Sequence, residues 1–311
     1  MEVQVSRSVS TPVATTKGDH RTRRFASERT ASYHACTRPR PSGHNGPRVH
    51  GSMAPIVKRL TQRGGAGVAN RDPAEFAQAD LELAATLDSL SGADNYLALL
   101  AELISPHLGA RVLEIGAGHG DLTGLLAGPD RHVIATDLSP TCIDALGERF
   151  ATDDHVSVLA LDAGSEADLR ALPPVDSALM VNVLEHIHED ENLLRRLGTL
   201  VGADGRVVVF VPAFEALYGP FDHSIGHFRR YRVAGMRTLM SDAGLEPELV
   251  RYVNAPGFFA WLLTVRLLGQ NPTGSKLVGV YDRLVIPIVA AVESRWSPPF
   301  GQSILAVGRA R

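Results

Sequence analysis

Val112-Leu113-Glu114-Ile115-Gly116-Ala117-Gly118-His119-Gly120-Asp121 is the stretch on which the fold turns. A mostly apolar run reads as a buried strand, three glycines follow at alternate positions, and a helical stretch opens at Asp121. Glycine lets the backbone turn sharply there and lets a ligand approach without a Cβ in the way. In the dinucleotide fingerprint Gly-x-Gly-x-x-Gly the third glycine comes one place later, where the helix start meets a pyrophosphate. Asp121 holds that place here, and a carboxylate at a helix N-terminus repels a diphosphate. A nucleoside without phosphates, above all one with a cationic centre, escapes that penalty. Glu114, inside the strand, points the same way.

Outward from this stretch, short β-rich runs alternate with helical ones. Strands are expected over 111–115, 132–136, 156–161, 177–182, 206–211, 249–253 and 303–307, with helices starting near Asp121, Pro140, Glu166, Glu189 and Val233. Two further helices are expected over 74–90 and 94–107. Nearly all-apolar strands separated by helices imply an α/β fold, a mostly parallel sheet covered on both faces. Two stretches break the rhythm: a long connection, 212–231, and a strongly apolar helical insertion, 255–294.

The 311 residues are 44% hydrophobic and 21% charged, which excludes disorder throughout. Two cysteines, Cys36 and Cys142, exclude a disulfide-rich scaffold and a four-cysteine zinc site. No apolar run reaches the roughly 18–20 residues of a spanning helix, so a soluble, cytoplasmic protein is expected. The net charge of −3 hides an asymmetry: residues 1–70 carry 12 Lys+Arg against 3 Asp+Glu, and residues 71–311 carry 19 against 31. An acidic body argues against a nucleic-acid surface. Residues 1–70, rich in Ser, Thr, Arg, Gly and Pro, read as a disordered basic tail. A start upstream of Met53, a transit peptide and a nucleic-acid tail are alternative accounts of it. Residues 71–311 form the folded domain.

Two more acidic groups follow successive strands. Asp137 ends the second strand, 23 residues after Glu114, where a carboxylate can accept both hydrogen bonds of a ribose diol. Asp162-Ala163 follows the third strand, where a carboxylate can accept from an adenine amine. Together with the glycine loop and Asn182-Val183-Leu184-Glu185-His186-Ile187, these occur in the order of the class I S-adenosylmethionine-dependent methyltransferases, which the chain resembles from about residue 92 to 253. The resemblance implies a Rossmann-like three-layer sandwich, its seven-stranded sheet carrying an antiparallel last strand, and S-adenosylmethionine as cofactor. It also implies that Gly116, Gly118 and Gly120 pack against the methionine part, that Asp137 holds the ribose, and that Asp162 and Ala163 read the adenine. By the same resemblance, Asn182 is expected to contact the cofactor beyond the fourth strand.

Methyl transfer from a sulfonium needs alignment and water exclusion, and a base only where the acceptor must lose a proton. His186, beside Glu185, and His223 and His227 in the 212–231 connection are the candidate bases. Tyr218, Arg229, Arg230 and Tyr231, with Glu185, are candidate acceptor contacts, the arginines as an anion clamp; a network that merely pins the loop is the other reading of them. No metal is expected: His186 and His188, two apart, do not share a helix face. The apolar insertion suggests a small-molecule or lipid-like acceptor, or contact with a membrane surface. A nicotinamide-dependent oxidoreductase and a non-catalytic cofactor-binding subunit are the competing functions. Nothing in the sequence specifies an oligomeric state.

Overall fold

The computed structural model describes residues 93–269 and 276–311; the basic tail and the helix expected over 74–90 lie outside them. In chain order the elements are α1 (Asp94–Ile104), β1 (Arg111–Ile115), α2 (Asp121–Leu126), β2 (His132–Asp137), α3 (Pro140–Arg149), β3 (Val156–Ala160), α4 (Glu166–Ala171) and β4 (Ser177–Val181). Then follow α5 (Asp190–Val201), β5 (Arg206–Pro212), α6 (Pro220–Ser224), α7 (Val233–Asp242), β6 (Leu245–Val253), α8 (Ala255–Trp261), α9 (Lys276–Leu284), α10 (Ile286–Glu293) and β7 (Ser303–Ala310).

The strands form one sheet in the order β3-β2-β1-β4-β5-β7-β6. Only β7 runs antiparallel to its neighbours. Val112, Leu113, Val133, Ile134, Leu179, Met180 and Phe210 are all fully buried, as a parallel sheet with two covered faces demands. One face packs against α5 and α7 through Leu194, Leu197, Met236 and Met240; the other packs against α1 and α2 through Leu100, Ile104, Leu122 and Leu126. The strand order reverses between β1 and β4, and the crevice at the carboxyl edge of that reversal is where such sheets take ligands.

Two boundaries differ from expectation for local reasons. Helix α1 stops at Ile104 and tightens into a 3₁₀ turn over Ser105–His107, because Pro106 cannot donate to the helical ladder. Strand β6 starts at Leu245, four residues before the expected 249. Pro247 hides it in the sequence; at the sheet edge a proline is tolerated, and the ladder slips between Pro247 and Leu249.

Helix α8 continues as a π-helical turn over Leu262–Leu267, and α9 and α10 complete the 255–294 insertion. Two buried carboxylates fasten it. Asp282 accepts from the N–H groups of Asn95 (3.2 Å) and Tyr96 (2.8 Å), supplying the cap that α1 lacks at Ala93. Glu293 accepts from the N–H groups of Asn254 (2.8 Å) and Ala255 (2.9 Å) at the start of α8. Among the described residues, no helix is long and apolar enough to cross a membrane.

Candidate functional site

Parallel register brings the ends of four strands to one level. Ile115 pairs with Thr136 and with Met180, and Asp137 pairs with Ala160. The glycine loop, Asp137, Asp162 and Asn182 therefore follow one another along a single edge. Gly116 and Gly118 both have positive φ, 70° and 57°, so the chain turns out of β1 in a conformation that costs other residues dearly. A Cβ on Gly116 would lie 2.4 Å from Val183 Cγ2; that glycine is required by the segment after β4 as much as by any ligand.

Asp137 is aimed into this edge. Its Oδ2 accepts from the Gly118 N–H (3.0 Å) and its Oδ1 from the Ser139 N–H (2.9 Å). Asp162 is half-buried, and its Oδ1 accepts from the Gly164 N–H (2.8 Å) in a tight turn; Ala163 beside it is buried. Asn182 is exposed at the end of β4, with φ of 52°. These residues fit the nucleoside that the sequence implies, with hydrogen-bond acceptors on adjacent strand ends.

Three expectations change. Glu114 does not open to the crevice: it is buried, and its Oε2 accepts from the Thr123 hydroxyl of α2 (2.7 Å). Burial pushes its carboxyl up to about 7, against the lowering effect of that hydrogen bond. Gly120 faces α3 rather than the loop's outer side, for a Cβ there would meet Phe150 at 2.5 Å and Leu146 at 2.8 Å. Asp121 is not a bare charge at the helix start, since Arg149 pairs with it at 2.5 Å. Its repulsion of a diphosphate is correspondingly weaker than the sequence suggests.

Beyond β4 and β5 the loop 212–231 folds back and closes on itself. The Phe228 N–H donates to the Glu185 carbonyl (2.8 Å), and Tyr231 bridges to Ala213. The side chains expected to hold an acceptor have internal partners. Arg229 donates to Asp190 (2.8 Å) and to the His188 carbonyl (3.0 Å). Arg230 is buried, paired with Asp222 (2.8 Å), and lies over the Trp261 ring at 4.7 Å. Tyr231 donates to Asp190 (3.0 Å), and Tyr218 to the His227 carbonyl (2.7 Å). The anion clamp is thus replaced by a network that pins the loop.

Of the candidate bases, His223 is exposed on α6 and joins no cluster. His186 and His227 come together, their rings edge-on with centroids 4.6 Å apart. Asp222, which the sequence did not single out, accepts from His227 Nδ1 (2.9 Å), so the other ring nitrogen faces Glu185 Oε1 at 3.7 Å. Burial acts to raise Asp222's pKa, but His227 and Arg230 outweigh it and the net shift is downward. Glu185 is fully buried and neither carboxylate oxygen meets hydrogen-bond geometry with a partner; burial pushes its carboxyl up to about 8, against the lowering effect of its own nearby backbone N–H and, less, of Arg230. Backbone strain marks the same edge. Asn182, Phe214 and Asn254, which follow β4, β5 and β6, are three of the four non-glycine residues with positive φ among those described.

A family model described as a methyltransferase domain matches residues 113–207, from β1 into β5. Probable ribosomal RNA small subunit methyltransferases A of Methanosarcina mazei and Methanosarcina acetivorans are each 44% identical over 52 residues, 17% of this chain and 19% of theirs. The chain thus spans about a fifth of the length of the curated relatives it matches. The methyltransferase solved in complex with the Haloferax volcanii Trm112 methyltransferase activator superposes with a TM-score of 0.50 at 18% identity, covering 73% of this chain and 94% of that one. That likeness is one of fold: the seven-stranded sheet with its antiparallel last strand.

Proposed function

We propose that the chain, whose residues 113–207 match a methyltransferase-domain model, is a class I S-adenosylmethionine-dependent methyltransferase that methylates a small-molecule or lipid-like acceptor. The observation that carries the reading is the placement of Asp137 against the Gly118 N–H, with Asp162 one strand further along the same edge. When bound, the cofactor supplies a methyl already activated by its positive sulfur. The chain's own residues then bind and orient. Asp137 accepts from the ribose hydroxyls, Asp162 from the adenine amine, and the Gly116–Gly118 backbone lies against the methionine part. Beyond β4, His186, His227 and Glu185 are the groups placed to hold a proton from the acceptor.

The acceptor class rests on the insertion. Among the described residues, nine of the twelve exposed large apolar side chains lie between Phe259 and Trp296. Exposed apolar side chains concentrated in one segment of the chain suit an apolar ligand or a lipid surface. RNA is the acceptor in the names of the Methanosarcina relatives, but the body of this chain, residues 71–311, carries 31 acidic against 19 basic residues. The test is to incubate the purified chain with radiolabelled S-adenosylmethionine and, separately, a lipid extract, a small-metabolite pool and ribosomal RNA. Label in the lipid or metabolite arm is expected; label confined to RNA would overturn the acceptor class.

A further inference from the structure

Glu185, His186 and His227 each offer a ligand atom, and these atoms lie within 4.8 Å of one another. We infer that they bind one divalent first-row transition cation at the carboxyl edge of the sheet, beside the segment that follows β4. The donor set is two imidazole nitrogens and one carboxylate oxygen, a combination that suits zinc, manganese or iron(II) and leaves coordination positions open.

The strongest support is the carboxylate. Glu185 has no exposure, and neither oxygen has a hydrogen-bond partner. An unmatched buried carboxyl is costly whether charged or protonated, and a cation at this point satisfies it. The Arg230 guanidinium is already paired with Asp222 and lies over the Trp261 ring. His227 Nε2 stands 3.7 Å from Glu185 Oε1. Bonds of about 2.1 Å in a tetrahedral site place ligand atoms roughly 3.4 Å apart, so this edge needs only a small adjustment.

The surroundings are those of a metal ligand shell. Asp222 accepts a hydrogen bond from the Nδ1–H of His227 at 2.9 Å, which fixes the tautomer and turns the lone pair of Nε2 toward Glu185. Asp222 is itself held by Arg230 and by the Gly219 N–H (3.0 Å). The adjacent His188 and Glu189 side chains are 74% and 69% exposed and take no part. Under the methyltransferase reading, on which this role rests, the three side chains would act as ligands in place of proton acceptors, and the open positions would bind an acceptor oxygen and ease loss of its proton to water. The site itself does not depend on that reading.

The full-length chain is stripped with a chelator, dialysed, and titrated with zinc, manganese and iron(II), the last without oxygen. Bound metal is measured by elemental mass spectrometry and melting temperature by calorimetry. About one equivalent per chain and a cation-dependent rise in melting temperature are expected. With cobalt(II), visible ligand-field absorption is expected. Glu185→Gln and His227→Gln should each weaken binding tenfold or more. His186→Gln, at a half-buried position, provides the test should the buried variants fail to fold. Absence of bound cation in the parent chain, or unchanged affinity in the folded variants, would overturn the site. S-adenosylhomocysteine titrated into the same samples reads the cofactor crevice separately, so loss of one result does not imply loss of the other.

Discussion

Along the β1–β2–β3 end of the sheet edge, the carboxylates of Asp137 and Asp162 are held by backbone N–H groups of the adjoining turns. Beyond β4 and β5, by contrast, nearly every charged side chain is consumed by another: Arg229 by Asp190, Arg230 by Asp222, and His227 by Asp222. The first half is a cradle made mainly by the course of the backbone. The second is a pinned loop that leaves one buried carboxyl, Glu185, without a hydrogen bond. Where a loop's charges pair with each other, their density reports the loop's anchoring; the unsatisfied group is the better pointer to chemistry.

The sharpest way to break this contrast is in the pinned half. Asp222→Asn leaves the buried Arg230 without its counter-charge and should destabilise the fold by about 3–5 kcal/mol, read by chemical denaturation. A loss under about 1 kcal/mol would mean that the network is ornamental. In the cradle, Asp137→Ala should weaken S-adenosylhomocysteine binding by roughly 1–3 kcal/mol through lost charged hydrogen bonds, measured by calorimetry. Gly120→Ala, at φ of 80° and against Phe150, should cost about 1–3 kcal/mol of stability.

Glu114 gives a pH test of the same half. Its carboxyl is raised from 4.5 to about 7, so between those values the folded chain holds a proton that the unfolded chain has released. Its contribution to stability is complete below the lower value and is lost as pH rises through the higher. Relative to Glu114→Gln, the parent should lose stability with a slope of up to about 1.4 kcal/mol per pH unit across that window. Parallel curves would place the carboxyl in a more solvated setting. The smallest effect belongs to the exposed pair Arg149–Asp121, where Arg149→Ala should change stability by less than about 1 kcal/mol.

What could be read from the sequence divides along the same line. The strand–glycine–helix stretch and the acids after β2 and β3 are legible because backbone turns and strand ends restrict which residues serve there. The fold follows from them, down to the antiparallel β7 that the family resemblance implies. Side-chain direction is not so restricted. Arg229 and Arg230 are neighbours in the chain yet reach Asp190 and Asp222 on different elements, and no local signal separates a clamp from an anchor. Glu114 meets Thr123 and Gly120 meets Phe150 only after α2 and α3 are packed. His227 finds Asp222 five residues back because the short α6 and the turn after it bend the chain. The start of β6 was masked by Pro247, whose tolerance depends on an edge position that tertiary structure alone decides.

The crevice beside Gly116–Gly118 and Asp137 is expected to take an S-adenosyl nucleoside in preference to a dinucleotide. Titration calorimetry of the full-length chain with S-adenosylhomocysteine, run against NAD at the same concentrations, tests it most directly. Saturable heat is expected with the former and none with the latter. Silence with S-adenosylhomocysteine, or equal binding of NAD, would contradict it.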